Sequence, residues 1–100
     1  MQVIKRDGSL QEFDSNKIVE AISKAFNACH LEENKEVIAA MVADMHFWGG
    51  ITIEEIQDVV IETLRDYGYD DVASAYSQYR SEQSRLREII AKISYQDNYI

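Results

Sequence analysis

Apolar residues recur at two different periods along this chain. Residues 2–13 carry two short extended runs, Val3-Ile4-Lys5-Arg6 and Ser9-Leu10-Gln11-Glu12-Phe13, on either side of Asp7-Gly8. Asp-Gly between such runs predicts a hairpin with a two-residue type I′ turn, which needs positive φ at both central residues. Asp14 or Ser15 then caps a helix. Its apolar residues Ile18, Ile22, Ala25, Phe26 and Cys29 fall at spacings of three and four, one helical face. A second helix is expected from about Glu32 to Trp48, with Val37, Ile38, Met41, Met45 and Trp48 as its stripe and Gly49-Gly50 as its stop. Ile51-Thr52-Ile53 suits a short third strand, and Thr52 with Glu55 fits a capping box. Ile56, Val59, Val60, Leu64 and Tyr67 line the third helix, and Gly68 ends it. A fourth helix starts near Asp70 or Asp71, where Val72, Tyr76, Tyr79, Gln83, Leu86, Ile90 and Ile93 alternate spacings of four and three. The expected fold is α+β: a small β cap followed by a four-helix bundle, antiparallel because the loops are short. Residues 94–100 have no clear period and read as the start of a linker, so the domain is expected over residues 1–93.

Composition narrows the choice. One hundred residues suit one domain with a single core. The absence of proline and the four glycines argue against a β-rich fold with many tight turns. The single cysteine, Cys29, excludes an intrachain disulfide and a multi-cysteine metal site, and its place on an apolar helical face suits a buried structural thiol. No apolar run approaches the roughly 20 residues of a membrane span, and the first residues do not resemble a signal peptide. A cytoplasmic domain of a larger protein is the expectation, with neither membrane nor nucleic acid as partner.

The formal charge of −8 opposes non-specific binding to nucleic acid, but it is unevenly spread. Residues 1–31 are neutral overall, residues 32–71 carry −9, and residues 72–100 carry +1. The cations lie toward the two ends of the chain. Brought together they would form a local positive site suited to a small anion; left apart they are solvated faces of helices.

Most chemistry is missing. There is neither a Gly-x-x-x-x-Gly-Lys-Ser/Thr loop nor a Gly-x-Gly-x-x-Gly motif. His30 and His46 lack ligand-spaced partners, and the acid pairs Glu32-Glu33, Glu54-Glu55 and Asp70-Asp71 lie near helix starts, where they complement the macrodipole. What remains is Lys5-Arg6-Asp7-Gly8 on the hairpin, with Lys17 in the first turn of the helix that follows. Cations beside a helix N-terminus suit phosphate oxygens. Lys5 and Arg6 are adjacent on a strand, however, and adjacent strand residues point to opposite faces. An ordinary charged hairpin tip is the competing reading.

Taken in order, Val3-Ile4-Lys5-Arg6-Asp7-Gly8, Phe13-Asp14 and Lys17-Ile18 resemble the opening signature of the ATP-cone domain. Ile53-Glu54-Glu55-Ile56-Gln57-Asp58-Val59-Val60 and Ala73-Ser74-Ala75-Tyr76-Ser77-Gln78-Tyr79-Arg80 resemble its third-helix and fourth-helix segments. The resemblance covers roughly residues 2 to 90 and is most similar to the cone of anaerobic, glycyl-radical ribonucleoside-triphosphate reductases. It implies a non-catalytic allosteric domain that binds ATP or dATP, with magnesium riding on the phosphates. The implied partners are the catalytic domain of the same polypeptide and further copies of the full protein. By the same resemblance, Lys5, Arg6, Lys17 and Arg80 match phosphate-contacting positions. Val3, Ile18 and Ile56 match apolar positions near the base, or else serve only the core. Gln11, Glu12, Phe13 and Asp14 match a segment that wraps the nucleotide, with Asp14 toward the ribose. Gln57 stands where some relatives have histidine, and its amide suits adenine. Two other roles compete: a cone without a ligand that serves only docking or oligomerisation, and the cone of a transcriptional repressor of reductase genes, which the lone cysteine disfavours.

Overall fold

The computed structural model describes residues 1–78. Expectations for Tyr79, Arg80, Gln83, Leu86, Ile90, Ile93 and residues 94–100 lie outside them.

The chain opens with the hairpin β1 (Gln2–Ile4) and β2 (Leu10–Glu12), paired antiparallel with Val3 opposite Gln11. The turn differs from the expected one. Lys5 N–H donates to Ser9 C=O at 2.8 Å and Gly8 N–H to Lys5 C=O at 2.9 Å, enclosing a loop of Arg6, Asp7 and Gly8. Only Gly8 has positive φ there, at 87°. This is a type I turn followed by a left-handed glycine, the usual three-residue hairpin loop. Asp7 avoids the left-handed region because its carboxylate has local work: Oδ1 accepts from the Ser9 N–H at 2.9 Å and the Ser9 hydroxyl at 2.6 Å.

Asp14 caps α1 (Ser15–Ala28), accepting from the Asn16 N–H. The helix closes on Cys29 in a Schellman arrangement: Leu31 N–H reaches Phe26 C=O and His30 N–H reaches Asn27 C=O, both at 3.0 Å. The left-handed position is taken by His30, φ 57°, where glycine is usual. Cys29 is half-buried rather than buried; as the last residue before the chain turns it sits at the core's margin, and its Sγ lies 3.4 Å from the Asp71 carbonyl.

The second helix is shorter than its pattern predicted. α2 spans Lys35–Asp44, capped by Asn34, whose side chain accepts from the Glu36 and Val37 N–H groups. Met45 leaves the helix with ψ 139°, well before the Gly49-Gly50 stop, and Trp48 is 43% exposed rather than part of a stripe. The cause is sheet formation: residues 45–50 carry the chain back to β1, where Gly50 N–H donates to Gln2 C=O. β3 (Ile51–Thr52) then pairs with β1 in parallel, Val3 opposite Ile51 and Ile4 opposite Thr52, giving strand order β2-β1-β3.

The Thr52–Glu55 capping box forms, and α3 (Ile53–Asp66) follows without a loop. It ends in a second Schellman arrangement on Gly68, φ 87°, with Tyr69 N–H on Leu64 C=O and Gly68 N–H on Arg65 C=O, both at 2.9 Å. Tyr67 leaves the expected apolar stripe. As the C-cap it is 41% exposed, and its hydroxyl donates to Asp44 Oδ2, joining the ends of α3 and α2. That bond raises the tyrosine pKa above its ordinary 10.0. Residues 70–78 are helical, the described part of α4.

α1 packs on α2 and α2 on α3. One core joins Val3 of the sheet to Ile18, Ile22 and Phe26 of α1, Ile38 and Met41 of α2, Ile53, Ile56, Val60 and Leu64 of α3, and Val72 and Tyr76 of α4. The α+β architecture of a small sheet with helices stands as expected.

Candidate functional site

The register decides which helix start faces the hairpin loop. Ile4 lies opposite Thr52, so the loop of Arg6–Gly8 sits beside the first turn of α3. The start of α1 is at the other end of β2, three residues away, or about 10 Å at 3.3 Å per residue. The loop cations were expected beside the start of α1; the parallel pairing with β3 places them next to α3 instead. Arg6 accordingly reaches Glu54: its Nε lies 2.8 Å from Glu54 Oε1. Arg6 belongs to the turn and not to a strand, so the strict alternation with Lys5 does not apply to it.

The two helix starts differ electrostatically. α3 carries Glu54 and Glu55 in its first turn, and the capping box already serves its N-terminal groups. α1 has no acid in its first turn. It has Lys17 there, half-buried, with its backbone N–H on the Asp14 carbonyl at 3.3 Å. A helix start with a cation and no carboxylate beyond its cap accepts an anion; one with two carboxylates repels it.

The remaining positions sort by burial. Val3, Ile18 and Ile56 are within 1% of full burial and belong to the core, whatever else they do. Phe13 is half-buried and packs against Phe47, with ring centroids 5.0 Å apart and planes tilted by 46°. Glu12 is exposed and accepts from the N-terminal ammonium at 2.9 Å and from Gln2 Nε2 at 3.0 Å. Asp14 is occupied as the cap of α1. Lys5 is half-buried at the mouth of the turn. Asp7 is a turn residue: its carboxyl is held below the ordinary 3.8, chiefly by the Ser9 hydroxyl and then by the Ser9 N–H.

Gln57 stands apart. It is 0% exposed on the buried face of α3, beside Ile56 and one turn from Ile53, yet among the described residues neither its Oε1 nor its Nε2 has a hydrogen-bond partner. An unsatisfied buried polar group costs about 1–3 kcal/mol. Gln11 Oε1 and Ser23 Oγ are likewise buried without partners among the described residues. Ser23 escaped the sequence reading. Its only signal there was a hydroxyl between Ile22 and the apolar residues of the next turn. No group of three or more metal-ligating side chains occurs among the described residues.

The ATP cone domain family matches residues 1–85. The vitamin B12-dependent ribonucleoside-diphosphate reductase of Mycobacterium tuberculosis is 36% identical over 96% of this chain and 14% of its own length. The anaerobic ribonucleoside-triphosphate reductases of Haemophilus influenzae and Escherichia coli are 37% and 35% identical, each over 86% of this chain, and 13% and 12% of their lengths are covered. The chain thus spans a small part of these relatives. Similarity of this level reaches enzymes of different cofactor and substrate class, as expected of a shared regulatory module. ATP cones of ribonucleotide reductases are allosteric nucleotide-binding regulators within larger enzymes. A match to nearly the whole chain, laid over a hairpin, a third strand and a capped α3 in the expected order, makes this chain a member of the ATP-cone family.

Proposed function

We propose that this domain binds ATP or dATP as an allosteric effector and regulates the overall activity of a ribonucleoside-triphosphate reductase. The observation that carries the reading is the start of α1, with Lys17 in an acid-free first turn of a chain whose net charge is −8. Lys5, Arg6, Lys17 and Arg80 would hold the phosphates, with magnesium on the phosphate oxygens. Val3, Ile18, Ile56 and Gln57 would meet the base, and Gln11, Glu12, Phe13 and Asp14 the ribose side. The domain would extend over residues 1–93, with residues 94–100 leading to a cytoplasmic catalytic domain in the same polypeptide, and the full protein would form homo-oligomers. None of the described helices is long and apolar enough to cross a membrane.

A ligand shifts a two-state equilibrium only through its different affinity for the two states. ATP and dATP differ by one 2′-hydroxyl, so opposite effects would require that this hydroxyl be sensed. The test is thermal melting of the 100-residue chain with ATP, dATP, GTP and CTP. The two adenine nucleotides raise the melting temperature in proportion to ln(1 + [L]/Kd). No shift from either at millimolar concentration contradicts the reading and favours a docking module without a ligand.

A further inference from the structure

We infer that β3 and α3 form one rigid arm, residues 51–67, which shifts as a body on joints at Gly50 and Gly68 and is latched at its far end by the bond between Tyr67 and Asp44. The arm is stiff inside. β3 runs into α3 without a loop. The Thr52 N–H and hydroxyl both reach Glu55 Oε1, at 3.1 and 3.0 Å, and the Glu55 N–H returns to Thr52 Oγ1 at 3.1 Å. What moves the strand therefore moves the helix. The joints are left-handed, with φ 82° at Gly50 and 87° at Gly68. A Cβ at either would meet no atom within 4 Å, so backbone conformation and not packing calls for glycine there.

The arm is fastened at both ends by contacts open to solvent. At the near end these are the short pairing of β3 with β1 and the ion pair of Arg6 with Glu54. At the far end the Tyr67 hydroxyl donates to Asp44 Oδ2. Asp44 is the last residue of α2, whose last turn has no basic side chain. A carboxylate at a helix C-terminus opposes the macrodipole, so the acid is locally unfavourable where it makes this bond. Between the two ends Ile53, Ile56, Val60 and Leu64 are fully buried, and the motion is a slide against the core rather than a departure from it. Resting on the nucleotide reading above, a phosphate that draws Arg6 from Glu54 loosens the near end, and the far-end latch then opposes the shift. Residues 70–78 follow directly on Gly68 and receive the displacement.

Amide hydrogen exchange of the ligand-free 100-residue chain tests the arm. In Tyr67→Phe, which keeps the ring and loses the hydroxyl, the protected amides of residues 51–67 exchange about fivefold faster as a group, while those of α1 and α2 keep their wild-type rates. Asp44→Asn, which keeps an acceptor oxygen, changes them less. Calorimetric titration tests the coupling: Tyr67→Phe binds ATP about fivefold more tightly than wild type, because no latch opposes the shift. Unchanged rates in Tyr67→Phe, or faster exchange spread evenly over α1, α2 and α3, overturn the inference. An ATP affinity of Tyr67→Phe equal to or weaker than that of the wild-type chain overturns it as well. If the wild-type chain binds no ATP, the nucleotide reading fails, and the exchange rates alone decide the arm.

Discussion

Arg6 Nε donates to Glu54 Oε1 at 2.8 Å, tying the hairpin loop to the first turn of α3. The pair is partly solvated, with side-chain exposures of 19% and 48%, so it contributes little to stability. In the proposed site its weight is in binding. A phosphate approaching Arg6 competes with the Glu54 carboxylate and is repelled by it. Glu54→Gln is expected to raise ATP affinity about two- to fivefold, the scale of an exposed ion pair, without a matching rise in melting temperature. Weaker binding in calorimetry would instead assign Glu54 to orienting Arg6.

Lys17 provides the cation at an otherwise acid-free helix start. Lys17→Ala is expected to weaken ATP about tenfold or more, since a hydrogen bond to a charged group contributes about 1.5–3 kcal/mol. Lys5→Ala is expected to weaken it in the same direction. Raising the salt concentration should narrow the gap between wild type and either variant. Unchanged affinity in both variants removes the phosphates from both of these lysines.

His30 occupies the left-handed position of the α1 Schellman motif. A side chain there is strained, and glycine is not. His30→Gly is expected to stabilise the domain by about 0.5–1 kcal/mol in denaturant unfolding, the low end of the range because histidine tolerates this region better than most. A destabilised variant would mean that the imidazole itself holds α1 to its surroundings.

The carboxyl of Asp7 is held below 3.8, first by the Ser9 hydroxyl. A group with a depressed folded pKa stabilises above its unfolded pKa and loses that contribution as pH falls through the folded value. Wild type should therefore be more stable than Asp7→Asn at pH values above 3.8, and the difference should close as the pH drops below it. Melting curves across that range give the answer; a gap independent of pH would place the effect in turn geometry rather than charge.

Local signals carried well into the structure. Asp14 as a cap, the Thr52–Glu55 box and the stop at Gly68 each depend on residues within a few positions, and each formed as expected. The misreadings arose where distant pairing won. Trp48 keeps the helical spacing of Met41 and Met45, but β3 must reach β1, and that pulled the chain out of α2 after Asp44. The Asp-Gly dipeptide alone predicts positive φ at Asp7, whereas the bonds of Asp7 to Ser9 favour the longer loop. The parallel register that sets Arg6 beside Glu54 has no signature in either segment. For the candidate site, the sequence supplies residue types and their order. It does not supply the unsatisfied state of Gln57, because a glutamine one position from an apolar stripe reads as a boundary residue until its surroundings are known.

The central claim is that an acidic chain of 100 residues carries an adenine-nucleotide site whose lysines, Lys5 and Lys17, lie in its neutral N-terminal part. Its most direct test is calorimetric titration of that chain with ATP and magnesium at low salt, with GTP as control. The account predicts saturable binding of ATP, tighter than GTP and reduced in Lys17→Ala. No heat of binding for ATP at millimolar concentration, from a chain shown to be folded by its melting curve, would contradict it.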